Sequence, residues 1–144
     1  MNNIEIKTIP HNGQLYPTVG NWFFKREVIT RFDVAKNSYV SNVEDVLHIE
    51  VSQLSDPRRE LLIAIHELVE VALCQHAGIT QEMVDEFDKK FEANRPENFF
   101  DEPGDDPNAP YHRQHCLATG IERILAAALE VTWKDYENEL ESLP

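Results

Sequence analysis

Thirteen residues, Leu61-Leu62-Ile63-Ala64-Ile65-His66-Glu67-Leu68-Val69-Glu70-Val71-Ala72-Leu73, constrain this chain more than any other part of it. The run is apolar on nearly every side, which predicts a helix buried on most of its faces rather than one lying on a surface. Two carboxylates and an imidazole sit inside it, and an ionised carboxylate in such surroundings is costly unless something pairs with it. On a helix His66 and Glu70 are four apart and share a face, with Glu67 one step round from His66. That spacing offers two ligands to one metal ion and keeps a third group, the Glu67 carboxylate, beside the water that the ion would activate.

The flanks of this run delimit the helix and its neighbours. Ser55-Asp56-Pro57 supplies a cap followed by proline in the first turn, and the helix is expected to run to Gln75 or His76, where Gly78 closes it in a left-handed cap. Thr80 caps a second helix, with Ile79 and Val84 spaced as a hydrophobic staple, so that the two form an antiparallel hairpin. Met83, Val84, Phe87 and Phe91 make its buried stripe, and Glu82, Asp85, Glu86 and Asp88 are expected in solvent. Upstream, Ile4 and Ile6 alternate with Glu5 and Lys7 before Pro10-His11-Asn12-Gly13 turns the chain. Trp22 to Val34 is β-rich. A polar connection at residues 36–42 leads to Asp45–Val51, where Leu47, Ile49 and Val51 share a face and His48 falls on the opposite, exposed one. The expected fold is therefore α+β, one domain over residues 1–144: a small antiparallel sheet from the first third, packed on three or four helices with the His66 helix central.

Charge and cysteine content exclude several functions. The formal net charge is −13, with ten acidic and three basic residues over 82–106 and five against one over 130–144. Such a surface repels phosphate backbones, so DNA and RNA are not expected partners. No stretch is long and apolar enough to span a membrane, and the first residues lack the basic head and apolar block of a signal peptide, which predicts a soluble, cytoplasmic protein. Cys74 and Cys116 fall in apolar helical patterns and are expected as reduced core residues.

The segment 94–110 holds four prolines and a run of acids. Its spacing does not match an EF-hand, and a rigid solvated connection is expected there. A third helix follows from about Pro110 to Leu129, and Thr132-Trp133-Lys134-Asp135 resembles a capping box opening a fourth. In the third helix His112, His115, Thr119 and Glu122 recur at spacings of three, four and three, which lines them along one polar stripe. If this stripe faces the His66 helix, His66, Glu70 and His115 form a ligand set of two nitrogens and one carboxylate, with His112 or Glu122 as alternatives for the third position. Glu67 is then the general base. The same residues also fit a polar network, paired with Arg113 or Arg123, that orders the core without chemistry.

The strand-rich start followed by a helix bearing His66-Glu67-x-x-Glu70 resembles the zincin metallopeptidases, whose helix carries H-E-x-x-H; here Glu70 stands where that family has its second histidine. The resemblance implies zinc, held in part by His66, and a hydrolase in which Glu67 is catalytic. H-E-L-V-E together with Asp101-Glu102-Pro103-Gly104-Asp105-Asp106-Pro107-Asn108-Ala109-Pro110-Tyr111-His112 also resembles a family of small bacteriophage-encoded proteins, which implies the cytoplasm of an infected bacterium. A second enzyme class is similar in part: Glu67-x-x-Glu70 followed by Glu82-x-x-Asp85 is like the carboxylate pattern of the all-α MazG nucleotide pyrophosphohydrolases, which implies magnesium. A third possibility is a non-enzymatic protein whose acidic surface engages a protein partner. Substrate and oligomeric state are not readable from the residues.

Overall fold

The computed structural model describes residues 3–144. β3 (Ser38–Ser52) takes the middle of a three-stranded sheet, flanked by β1 (Ile4–Ile9) and β2 (Gly20–Asp33) in the order β1-β3-β2. In its second half Leu47, Ile49 and Val51 are at most 1% exposed, and a segment so buried is best paired on both edges. β1, whose residues are mostly exposed, serves as an edge.

The pairing departs from the antiparallel expectation. β2 pairs antiparallel to β3, from Gly20 opposite Val51 to Asp33 opposite Ser38, whereas β1 runs parallel to β3, with Ile4 opposite Leu47. β1 and β2 do run in opposite directions, as a turn between them implies, but β3 inserts between them. The chain after Pro10 crosses the end of β3, where His11 Nδ1 and Gln14 Nε2 meet Ser52 Oγ at 2.9 and 3.1 Å.

Residues 38–42, expected as connection, belong to β3. Their cross-strand partners supply the strand, including Thr30 with Ser41 at 2.7 Å and Phe32 edge-on to Tyr39. The outer half of this hairpin projects as an arm with Val28, Phe32, Tyr39 and Val43 exposed. His48 is a second correction. It is 6% exposed because Phe23, its cross-strand partner, stacks flat on the imidazole with centroids 5.1 Å apart.

Four helices complete the fold: α1 (Pro57–Ala77), α2 (Gln81–Ala93), α3 (His112–Ala128) and α4 (Trp133–Ser142). Asp56 caps α1 by accepting from the Arg58 N–H, and Gly78 closes it at φ 73°, in the left-handed region where a side chain is strained. Thr80 caps α2, but the chain turns through 120° between α1 and α2 and does not fold straight back. Thr132 precedes α4 without making a side-chain cap. Leu62, Ile63, Val71 and Cys74 of α1 pack with Trp22, Leu47, Ile49 and Val51 of the sheet into one core. Cys74 is buried as expected, but Cys116 is exposed. Met83 is exposed as well, whereas its neighbour Val84 is buried. No single helix among the described residues is long and apolar enough to cross a membrane.

α3 lies alongside α1, and the two run in opposite directions, since His66 meets Glu122 while Glu70 meets His115. The polar stripe of α3 therefore faces the polar stripe of α1.

Candidate metal centre

Where the two stripes meet, three side-chain atoms converge. His66 Nε2 lies 3.2 Å from His115 Nδ1 and 3.4 Å from Glu70 Oε2, and His115 Nδ1 lies 2.9 Å from the same oxygen. Ligands bound tetrahedrally at 2.0–2.2 Å stand roughly 3.3–3.6 Å apart, so the triangle is slightly tighter than one face of such a shell. All three residues are at most 5% exposed.

Each donor is held from behind by its own partner. His66 Nδ1 is 2.8 Å from Glu122 Oε2, and Glu122 Oε1 in turn accepts from the Tyr136 hydroxyl at 2.6 Å. His115 Nε2 is 3.2 Å from Asp105 Oδ1. Trp22 Nε1–H donates to Glu70 Oε1 at 3.0 Å. A carboxylate only accepts, so the outer nitrogen of each imidazole must carry the proton and a neutral ring turns its lone pair inward. Two lone pairs and a carboxylate oxygen cannot satisfy one another at these distances. A cation between them can, whether a metal ion or protons on the rings, and ligand histidines backed by carboxylates are the usual support of metal sites.

The charge balance points the same way. Glu67, Glu70, Glu102, Asp105 and Glu122 surround two imidazoles, and among the described residues no lysine or arginine pairs with them. Arg123, which could have neutralised Glu122, lies over the Trp133 ring instead, 4.7 Å from its centre. Without a bound metal the histidines would carry the balancing charge. Burial opposes that charge, but hydrogen bonds donated to the Glu122 and Glu70 carboxylates outweigh it and lift His66 to about 12. Burial is likewise outweighed at His115, lifted to about 10 by Asp105 and Glu70. Glu70, despite its burial, is held down to about 2 by the two imidazoles.

Glu67 stands apart from this network. It makes no side-chain hydrogen bond among the described residues, and it faces a narrow cleft whose walls include Glu70, His115, Glu102, Asp85 and Asp88. Desolvation there, and then the neighbouring Glu70 charge, raise its pKa well above the usual carboxylate value. Gly20 makes room for it: a Cβ at that position would stand 2.6 Å from Glu67 Oε1. On the other side His66, His115 and Glu122 open onto a broad groove between the 95–105 segment, α3 and α4.

Of the residues singled out in the sequence, His66, Glu70, His115 and Glu122 come together, with Glu122 behind His66 in this arrangement. Glu67 lines the adjoining cleft. His112 does not join them; its Nδ1 lies 2.8 Å from the Gly104 carbonyl oxygen. The segment 94–110 is not merely a solvated connection. Its short 3-10 turn, Pro103–Asp105, packs on the site, and Gly104 lies so close to the His115 ring that a Cβ would stand 2.3 Å from Cγ. That turn delivers Asp105 to His115 and brings Glu102 oxygen within 4.8 Å of ligand atoms on both histidines. Asp85 and Asp88, expected in solvent, accept from the hydroxyls of Tyr16 and Tyr111. Burial raises Asp88 to about 7, against the pull of the Tyr111 hydrogen bond. Glu82 is exposed. The Pro-Gly pair within an acidic run was the available sign of Glu102 and Asp105, whereas nothing local marks Trp22 or Tyr136. A second group, His48 with Glu5 and Glu27, also brings ligand atoms within 4.8 Å, on the sheet and with Glu5 half exposed.

Fold and site together define an α+β protein with a buried, carboxylate-backed His–Glu–His triangle. Comparison with protein-family models, curated proteins and solved structures gives no match, so the functional reading rests on the site itself.

Proposed function

We propose that the protein is a metal-dependent hydrolase in which His66, Glu70 and His115 hold one zinc ion and Glu67 is the general base. The observation that carries this reading is the triangle of three inward-facing donors, each oriented by a separate partner. Two nitrogens and one carboxylate suit zinc, and three protein ligands leave a position for water or substrate. The ion would supply Lewis acidity, lowering the pKa of a water and polarising the bond to be hydrolysed.

The chain's own residues do the rest. Glu122 and Asp105 fix the imidazole tautomers, and Trp22 fixes the carboxylate of Glu70. Glu67, desolvated and without a hydrogen bond among the described residues, takes a proton from the attacking water and returns it to the leaving group. Glu102, at the mouth of both openings, is the candidate for a further ligand. The likeness to zincins is limited to the helix that supplies a histidine and the adjacent glutamate; the third ligand here comes from α3. The resemblance to bacteriophage proteins supports a setting in the cytoplasm of an infected bacterium.

One observation favours a second reading. Glu67, Glu70, Asp85 and Asp88 line one cleft, an oxygen-rich arrangement suited to magnesium and to nucleotide hydrolysis. Elemental analysis of protein purified without chelator, with zinc and magnesium titrations, tests both. About one zinc per chain is expected, abolished by His66→Ala combined with Glu70→Ala. Zinc binding that survives the double substitution refutes the assigned site, and magnesium binding without zinc transfers the proposal to the second reading.

A further inference from the structure

The groove beside the metal centre has two chemically different linings. It encloses about 760 Å³, in the upper part of the roughly 300–1,000 Å³ range of ligand pockets, which is room for several side chains. The buried His66 and His115 lie at its floor. Its walls carry apolar groups: Phe99 and Phe100, 39% and 55% exposed, from the segment before the 3-10 turn, and the half-buried Trp133 and Leu140 from α4. Arg95 fixes the first wall. Its Nη1 donates to the Phe99 and Asp101 carbonyl oxygens at 2.6 and 2.8 Å, on either side of Phe100, while Nε and Nη2 hold Glu92.

Seven carboxylates line the same groove, against two guanidinium groups. Glu122 and Asp105 are engaged with the histidines, and Glu102 faces His115 at 3.6 Å. Glu97, Asp101, Glu137 and Glu141 make no side-chain hydrogen bond or ion pair among the described residues. Arg95 is taken up by Glu92 and the two carbonyls, so these four carboxylates face only Arg123, which lies over the Trp133 ring. Building on the reading of His66, Glu70 and His115 as a hydrolytic centre, we infer that the groove binds an extended polypeptide segment in which bulky apolar residues alternate with lysine or arginine. The apolar side chains cover Phe99, Phe100 and Trp133, and the basic ones reach the four unpaired carboxylates.

Both linings are needed to select this occupant. A phosphate-bearing substrate would be repelled by the carboxylates. A wholly apolar segment would desolvate those carboxylates without supplying a partner, which is costly. A small polyamine would meet the charges but leave the aromatic wall uncovered. An extended chain sends successive side chains to opposite sides, so alternation of apolar and basic residues serves both linings at once. Lysine and arginine also lay their stems along apolar surface while the charged head reaches a carboxylate. Trp133 already holds a guanidinium in this way, with the Arg123 group 4.7 Å from the ring centre.

The probe is a fluorescein-labelled peptide, Gly-Lys-Phe-Lys-Leu-Arg-Gly. Binding is read by fluorescence polarisation on zinc-loaded Glu67→Gln and on wild-type protein, and cleavage by mass spectrometry on the wild type alone. The peptide should bind about tenfold or more tightly than a version with glutamate at its basic positions, and about tenfold or more tightly than one with serine at its apolar positions. Asp101→Asn with Glu141→Gln should weaken binding about tenfold, as should Phe100→Ser; all three positions are exposed, so helical circular dichroism should be retained. Glu82→Gln with Glu86→Gln, exposed on α2 and outside the groove, should leave it unchanged. Equal affinity for the three peptides, displacement by spermine at the concentration at which unlabelled peptide displaces the probe, unchanged binding in the groove variants, or an equal loss in the α2 variant overturns the inference. Selective binding without cleavage supports the groove assignment and refutes the hydrolytic centre, whereas bound zinc with no peptide selectivity overturns the groove assignment and leaves the centre standing.

Discussion

Replacing Trp22 by phenylalanine isolates what holds Glu70 in place. The indole N–H is the donor to Glu70 Oε1, at 3.0 Å, and both residues are 5% exposed. Phenylalanine keeps most of the ring volume and the edge contact with Phe24, but leaves a buried carboxylate oxygen unpaired. A hydrogen bond to a charged group contributes about 1.5–3 kcal/mol, so a loss of about 2–3 kcal/mol is expected. In a protein of this length that corresponds to a fall in Tm of roughly 5–10 °C. The same hydrogen bond orients the ligand oxygen, so zinc affinity should fall about tenfold or more, as for other supports of metal ligands. Thermal melts by circular dichroism measure the first effect, and competition with a fluorescent zinc chelator measures the second. A lower Tm with unchanged zinc affinity would show that Glu70 is part of a structural network and not a ligand. No change in either would refute the hydrogen bond itself.

Four further outcomes follow from the same geometry. Glu67→Gln should keep Tm and zinc content near wild type, because Glu67 makes no side-chain hydrogen bond among the described residues, while hydrolysis of a responsive peptide or nucleotide substrate drops about a hundredfold or more; a destabilised variant with unchanged hydrolysis sinks the catalytic role. Glu122→Gln should leave zinc binding measurable but about tenfold weaker, read by the same chelator competition, and unchanged affinity would mean that His66 needs no support. Gly104→Ala forces a Cβ to 2.3 Å from His115 Cγ and should cost about 1–3 kcal/mol as an overpacked contact, seen in chemical denaturation; a neutral result would show that the 103–105 turn is free to move. The pH dependence has a defined sign. With His66 raised to about 12 and His115 to about 10, their stabilisation of metal-free protein is complete below the ordinary value of 6.5 and is lost as pH rises through 10 to 12. Glu70, lowered to about 2, contributes above its ordinary 4.5 and loses that contribution as pH falls through 2. Metal-free protein should thus be most stable between about pH 4.5 and 6.5. Zinc competes with the histidine protons, so the rise in Tm on adding zinc should grow from about pH 5.5 to 8, and a constant rise would count against the assigned ligands.

Much of the helical framework was legible in the residues because its signals are local. Asp56 and Thr80 cap helices through hydrogen bonds only two or three residues long, and Gly78 adopts its left-handed turn for want of a side chain. The spacing of four between His66 and Glu70, and the recurrence of His115 and Glu122, follow from helical pitch alone, so the two polar stripes could be drawn before any tertiary contact was known. The sequence thereby determined an α+β chain with an unusually polar seam in its most apolar helix. Tertiary structure decided the rest. Trp22 reaches Glu70 across 48 residues and Tyr136 supports a carboxylate on a neighbouring helix, and neither position differs locally from an ordinary core aromatic. His112 and His115 lie on the same stripe, yet only the docking of the 103–105 turn on the His115 ring separates them, one towards Glu70 and the other towards a backbone carbonyl. β1 pairs parallel because β3 inserts between it and β2, a choice of neighbour that no single strand reveals. His48 is buried for a related reason: alternation assigns a side chain to a face, but the cross-strand neighbour, here Phe23, decides whether that face is covered.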